Sequence, residues 1–298
     1  MTTSASPVTL GEAVEFAESQ FDAADLFFGH GLENAYDEAA YLVLHTLGLP
    51  LDDLDGVWDR TLSAGETARI RHLVRRRGEE RVPLAYLTNE AWLGPYRFYV
   101  DERVIVPRSF IAELLRDELA PWVQTPEAVT SVLDLCTGSG CLAILAALAF
   151  PDAQVDAVDL SPAALAVARR NVGDYDLQAR VALVESDMFA ALKGRQYDLI
   201  ISNPPYVTGQ SMAALPDEYR HEPAMALASG RDGLEHVRTI LREAPQYLRP
   251  GGLLVVEVGF NRDGVESAFP DIAFTWAEVS AGDELVFLLT REELLARG

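Results

Sequence analysis

The residues with the most chemistry in their order are Asn203-Pro204-Pro205-Tyr206, which follow the largely apolar run Tyr197-Asp198-Leu199-Ile200-Ile201-Ser202. Two adjacent prolines stiffen a loop and remove two backbone N–H donors, so its carbonyl oxygens are left to face a ligand. A primary amide entering such a loop can donate one hydrogen to the Asn203 side-chain oxygen and the other to the Pro204 carbonyl. The two acceptors hold the NH2 group in one orientation and aim its nitrogen. Tyr206 can lie flat on a planar substrate or beside a cationic sulfur. A second constellation is Asp134-Leu135-Cys136-Thr137-Gly138-Ser139-Gly140-Cys141. Glycines in a strand-to-helix turn let the backbone approach a ligand at a helix N-terminus. Asp159 ends the next apolar run, where an acid can accept hydrogen bonds from both hydroxyls of a ribose.

The glycine turn and the acid together predict a nucleoside-bearing cofactor. Gly138-x-Gly140-x-x-Ala143 also satisfies the dinucleotide fingerprint, which keeps an NAD oxidoreductase open. Asp134 speaks for the other choice. A carboxylate there would repel a pyrophosphate but suits the cationic amino-acid moiety of S-adenosylmethionine. The sequence also shows no hydride-handling group for an oxidoreductase.

Elements must bring these residues together. From Thr130 onward strands and helices alternate: strands at 132–135, 155–158, 181–184, 199–201 and 253–258, and helices at 141–150, 162–172 and 233–248. Ser161 and Pro162 mark a capped helix start. Residues 274–279 and 285–289 read as a closing hairpin. Such alternation predicts an α/β protein with a parallel sheet covered on both faces, and ligands in such sheets bind outside the carboxyl ends of the strands. Residues 8–82 read as helical: Val8, Val14, Phe16, Phe21, Leu26 and Phe27 recur at near-helical spacing. Asn34 caps a second helix stopped by Gly48 and Pro50, and Ser63 with Glu66 forms a capping box for a third. Ala85-Tyr86-Leu87 and the segments 91–93 and 96–100, around Gly94-Pro95, read as strands about a turn. The expected partition is a helical domain at 1–83, a β-hairpin linker at 84–108 and the α/β domain at 109–298.

Composition narrows the classes. The chain has 298 residues, 49% hydrophobic and 23% charged, which is a folded composition. Its net charge is −22. That field repels a phosphate backbone and favours a basic protein partner. The local exception is Arg69, Arg71, Arg75, Arg76, Arg77 and Arg81, a strip that could touch RNA or simply be a solvated helix face. Two cysteines make no disulfide scaffold. Met1–Ser6 lacks a basic-then-apolar leader, no apolar run is long enough for a membrane span, and a cytoplasmic location is expected. No metal-ligand spacing appears, so no metal is expected.

Asp134–Gly140, Asp159 and Asn203-Pro204-Pro205-Tyr206 resemble the protein-(glutamine-N5) methyltransferases of the HemK/PrmC/PrmB group. Further segments carry a likeness to the PrmB subgroup, which methylates a glutamine of large-subunit ribosomal protein L-three: residues 85–92, 98–109 and Glu218-Tyr219-Arg220-His221-Glu222-Pro223. Cys136 departs from the glycine of release-factor-modifying relatives. The resemblance covers nearly the whole chain and is weakest over the first 80 residues.

It implies a seven-stranded Rossmann-like class I methyltransferase sheet, a helical N-terminal domain that helps hold a protein substrate, and a hairpin linker. It implies S-adenosylmethionine as donor and S-adenosylhomocysteine as product. Cofactor-binding residues would be Asp134, Cys136, Thr137, Gly138, Ser139, Gly140, Asp159, Asp187 and Asn203, with Asp187 near the adenine. The acceptor amide would meet Asn203, Pro204, Pro205 and Tyr206, and Pro107-Arg108 would belong to the substrate mouth. The partner would be a ribosomal protein, free or in a precursor particle, with the arginine strip offering a contact to ribosomal RNA. Alternatives are a release-factor glutamine methyltransferase, an amino-methyltransferase acting on nucleic acid, and a non-catalytic assembly factor.

Overall fold

The computed structural model describes residues 9–296. Val8 lies outside the described residues. The chain divides into two compact units: one runs to Ala91 and takes in Pro216–His221, and the other comprises Trp92–Leu215 and the chain from Glu222 onward.

The first unit is helical. Its elements are α1 (Leu10–Ala23), α2 (Ala35–Leu47), α3 (Leu54–Val57), α4 (Ala64–Gly78) and α5 (Leu84–Thr88). The caps fall where the sequence sets them. Asn34 accepts from the Asp37 N–H, Gly48 closes α2 at φ 65°, and Ser63 and Glu66 form the reciprocal box that starts α4. Leu10, Val14, Phe21, Leu42, Ile70 and Leu84 share one core. The strand expected at Ala85-Tyr86-Leu87 is instead part of α5. A short apolar run has no period of its own, and local bonds decide it: Thr88 Oγ1 donates to the Leu84 carbonyl at 3.0 Å, and Asn89 ends the turn at φ 55°. Residues 84–91, expected in the linker, therefore belong to the helical unit.

A two-stranded hairpin follows, β1 (Ala91–Leu93) and β2 (Tyr96–Phe98), its first residue in the helical unit and the rest in the second, then α6 (Ile111–Arg116). The alternation follows as β3 (Ser131–Leu135), α7 (Cys141–Ala149), β4 (Gln154–Asp159), α8 (Pro162–Asp174), β5 (Val181–Glu185), β6 (Tyr197–Ser202), α9 (Gly209–Met212), α10 (Glu235–Tyr247), β7 (Leu248–Glu257), α11 (Arg262–Ala268), β8 (Thr275–Trp276), β9 (Val286–Thr290) and α12 (Arg291–Leu295). The seven-stranded sheet runs β5-β4-β3-β6-β7-β9-β8. β3 to β7 pair in parallel, while β9 is antiparallel to both neighbours.

Successive residues of a strand point to opposite faces, and both faces are buried here. Val132, Val155, Leu199, Val255 and Leu288 join a core with α7, while Leu133, Val158, Ile200, Val256 and Phe287 join a second core with α10. The chain leaves β3 toward β4 and β5, then returns to pair β6 on the other side of β3. That reversal opens a crevice at the carboxyl ends of β3 and β6. Leu135 pairs with Ser202, so the Cys136 and Asn203 loops start side by side.

Candidate active site

The loop after β3 is built from left-handed residues. Cys136, Gly138 and Gly140 have φ of 60°, 54° and 81°. A side-chain carbon at Gly140 would lie 3.1 Å from the Ala168 methyl of α8, so glycine permits this close packing. A carbon at Gly138 would meet nothing within 4 Å, and Gly138 faces an open cavity. Asp159, at the end of β4, fixes that loop. Its Oδ2 accepts from the Gly138 N–H at 2.9 Å and its Oδ1 from the Ser161 N–H at 2.8 Å. Burial raises the Asp159 pKa above the ordinary aspartate value, opposed by those N–H donors. A carboxylate has about four lone-pair directions, so acceptor capacity remains toward the cavity.

The cavity holds about 270 Å³ and lies within the second unit. Of the residues singled out from sequence, Cys136, Gly138, Asp159, Asp187, Asn203 and Pro205 line it. The Asn203 side chain is half-exposed, and no hydrogen bond to another side chain or backbone group holds it among the described residues. Asp134, Thr137, Ser139, Gly140, Pro204 and Tyr206 are not on the cavity wall.

Asp134 is wholly buried behind the loop. Its Oδ2 accepts from the Thr137 hydroxyl at 2.5 Å, its Oδ1 has no partner, and burial pushes its pKa up to about 7. It shares the β3 face of Val132, which points under α7 rather than into the crevice. In this structure Asp134 supports the loop from below through Thr137. Arg108, expected at the substrate mouth, is held by an ion pair. Its guanidinium grips the buried carboxylate of Glu222 at 2.5 and 2.7 Å, and neither it nor Pro107 lines this cavity.

The double-proline loop is braced from outside. Past Tyr206 the backbone pairs with residues 227–230: Val207 N–H donates to the Leu227 carbonyl at 2.8 Å, and Ser229 N–H to the Val207 carbonyl at 3.0 Å. A side chain at Gly233 (φ 78°) would lie 2.3 Å from the Tyr206 carbonyl, and one at Gly259 (φ 58°) 2.7 Å from the Tyr206 ring. The Gly230–Leu234 segment, which carries no chemistry in the sequence, is therefore a spacer that lets this loop close. Sequence reading also left out His236, Met188, Pro223 and Met225, all on the cavity wall. Their positions depend on chain reversals that no local motif announces.

The arginine strip is mostly engaged inside the helical unit. Arg77 is 1% exposed and pairs with Glu38 at 2.7 Å and Glu218 at 3.3 Å. Arg81 reaches Glu218, Arg75 and Arg76 reach Glu80, and Arg71 lies over the Phe16 ring. Among the described residues no group of three His, Cys, Asp or Glu side chains could hold a metal ion, and no helix is long and apolar enough to cross a membrane.

A glycine loop after β3, an acid ending β4 and Asn-Pro-Pro-Tyr after β6 define, on this sheet, a Rossmann-like class I methyltransferase. A family model described as methyltransferase small domain matches residues 117–230, and one described as PrmC N-terminal domain matches residues 13–88. The catalytic domain of hMettl16, solved with a MAT2A 3′UTR hairpin, superposes with a TM-score of 0.50 at 16% identity over 93% of this chain and 90% of that one, a likeness of fold alone. The chain is 56% identical to a protein of Neisseria gonorrhoeae named ribosomal protein uL3 glutamine methyltransferase, over 96% of each chain. It is also 56% identical to a protein of the same name from Burkholderia pseudomallei, over 99% of each. The chain belongs to this ribosomal protein uL3 glutamine methyltransferase family.

Proposed function

We propose that this protein transfers a methyl group from S-adenosylmethionine to the side-chain amide nitrogen of a glutamine in ribosomal protein uL3. The observation that carries the reading is the placement of Asn203 on the wall of the cavity that also holds Gly138 and Asp159. The cavity's donor and acceptor set fits such a cofactor: an acid with spare lone pairs for ribose hydroxyls, and a glycine with open space where a side chain would intrude. Asp159, Gly138 and Asp187 would hold it, with Asp134 fixing the loop through Thr137. When bound, it supplies an electrophilic methyl group on a sulfonium sulfur.

A neutral amide is a poor nucleophile because its lone pair is delocalised into its own carbonyl. The chain's task is then orientation and electrostatics rather than proton removal by a tuned base. The Asn203 carboxamide oxygen and the Pro204 carbonyl accept the two N–H bonds and aim the nitrogen lone pair. The prolines keep those acceptors rigid by fixing φ at 204 and 205, where no N–H competes for them. Tyr206, held against Gly259, keeps the corner from opening.

The helical unit would help hold the protein substrate, and such a substrate places the reaction in the cytoplasm. A nucleic-acid acceptor is disfavoured by the net charge of −22 and by the engagement of Arg75, Arg76, Arg77 and Arg81 with carboxylates of the same unit. The same engagement leaves the strip little free charge for a ribosomal RNA contact.

The test is Asn203→Ala, read by calorimetry with S-adenosylhomocysteine and by transfer of labelled methyl to purified uL3. Cofactor affinity should stay within about threefold, while turnover falls on the order of a hundredfold or more, as for loss of one preorganised polar group. Equal losses in both would contradict the role. Label appearing in a release factor but not in uL3 would move the substrate assignment.

A further inference from the structure

His236 sits in the first turn of α10 and lines the same cavity as Asp187 and Met188. It belongs to none of the motifs above. Its Nδ1 lies 2.9 Å from the Ser229 hydroxyl oxygen, and its own backbone N–H donates to that oxygen at 3.4 Å. Ser229 is fully buried. With that oxygen already receiving an N–H, we assign its proton to Nδ1, the acceptor within reach. On that assignment the imidazole carries its proton on Nε2. Two influences keep the ring neutral. Burial lowers its pKa, against the pull of Glu235 and Asp187, and a positive charge is disfavoured at a helix N-terminus.

His236 faces across the cavity toward the wall after β5, near enough for Asp187 to act on its charge. Asp187 and Met188 follow that strand, and the far end of α10 is tied to the same segment through Tyr247 stacked on Phe189 at 4.6 Å. In the order β5-β4-β3-β6, Asp187 lies beyond Asp159 and away from Asn203, while His236 enters from α10, after β6. A nucleoside whose ribose meets Asp159 would turn its base toward β5. We propose that His236 is a cofactor-anchoring residue, its Nε2–H donating to a ring nitrogen of the adenine base. This rests on the cofactor reading given above. Ser229 also donates its backbone N–H to Val207, next to Tyr206, so the group that orients His236 is part of the brace on the double-proline loop.

The experiment is calorimetric binding of S-adenosylhomocysteine and its 1-deaza, 3-deaza and 7-deaza adenine analogues to the full chain and to His236→Leu and His236→Gln. His236→Leu should weaken S-adenosylhomocysteine on the order of tenfold, the net value of one hydrogen bond. His236→Gln, which keeps an N–H donor on a side chain of similar reach, should recover most of that loss. One analogue should bind the wild type with a comparable loss and bind His236→Leu with no further loss, a coupling that a merely structural histidine would not give. Unchanged affinity in His236→Leu, or equal penalties for all three analogues in both proteins, overturns the assignment. Failure of the wild type to bind S-adenosylhomocysteine at all would instead strike the cofactor reading beneath it.

Discussion

Arg108 and Glu222, far apart in sequence, meet through two parallel charge-assisted hydrogen bonds of 2.5 and 2.7 Å. The Glu222 side chain has no exposure, whereas that of Arg108 keeps 24%. Glu222 Oε1 also accepts from the Val106 N–H at 2.9 Å, and Pro223, Met225 and Ala226 just beyond it form part of the cavity wall. The pair thus pins one wall of the site.

The asymmetry in burial sets the order of mutational cost. Arg108→Ala strands a buried carboxylate and should cost about 3 kcal/mol of stability. Glu222→Gln leaves an acceptor for Val106 and lets the partly exposed guanidinium turn to water, so about 1 kcal/mol is expected. Urea denaturation of the two variants measures both. Equal costs, or a larger cost for Glu222→Gln, would show that the pair is not governed by burial of the carboxylate.

This ion pair also marks where sequence reading stops. The sheet was legible because strand and helix periods are local, and so were the caps at Asn34, Ser63 and Ser161. The expected chemistry at Gly138, Asp159 and Asn203 falls on one cavity because strand ends in a doubly wound sheet converge by topology. Arg108 reads as a surface residue until Glu222 is brought to it. Arg77 reads as one of a solvated strip until Glu38 and Glu218 enclose it. For both arginines a long-range partner decides, and no spacing in the sequence encodes that partner.

Glu257 ends β7 as a buried acid. Its Oε2 accepts from the Ser109 hydroxyl at 2.6 Å and from the Phe110 N–H at 2.9 Å. Burial, opposed by those donors, pushes its pKa from 4.5 up to about 7. Between those values the folded chain binds more protons at this site than the unfolded chain, so this contribution to stability is full below 4.5 and is lost as pH rises through 7. The loss is of the order of 3 kcal/mol. Asp134, also raised to about 7, adds a change of the same sign, so a difference measurement is needed. Glu257→Gln keeps one oxygen for both donors and cannot ionise. Its melting temperature relative to wild type should therefore rise between pH 5 and pH 8. A difference that stays flat across that range would mean Glu257 does not titrate there.

Cys136 holds φ of 60° in the loop after β3, with its sulfur 3.9 Å from that of Met188. Left-handed backbone costs an L-residue about 1 kcal/mol or more that glycine does not incur. In ordinary helix or strand, glycine is instead less stable than alanine by roughly 0.5 to 1 kcal/mol. Cys136→Ala and Cys136→Gly both delete the contact with Met188, so that loss cancels between them. The glycine variant should be the more stable of the two by roughly 1 kcal/mol, a reversal of the usual order that follows from the backbone alone. Thermal melts of the two ligand-free variants decide it. If the alanine variant is the more stable, the loop does not keep its left-handed turn at Cys136, and the approach of Gly138 to the cavity must be set by Asp159 alone.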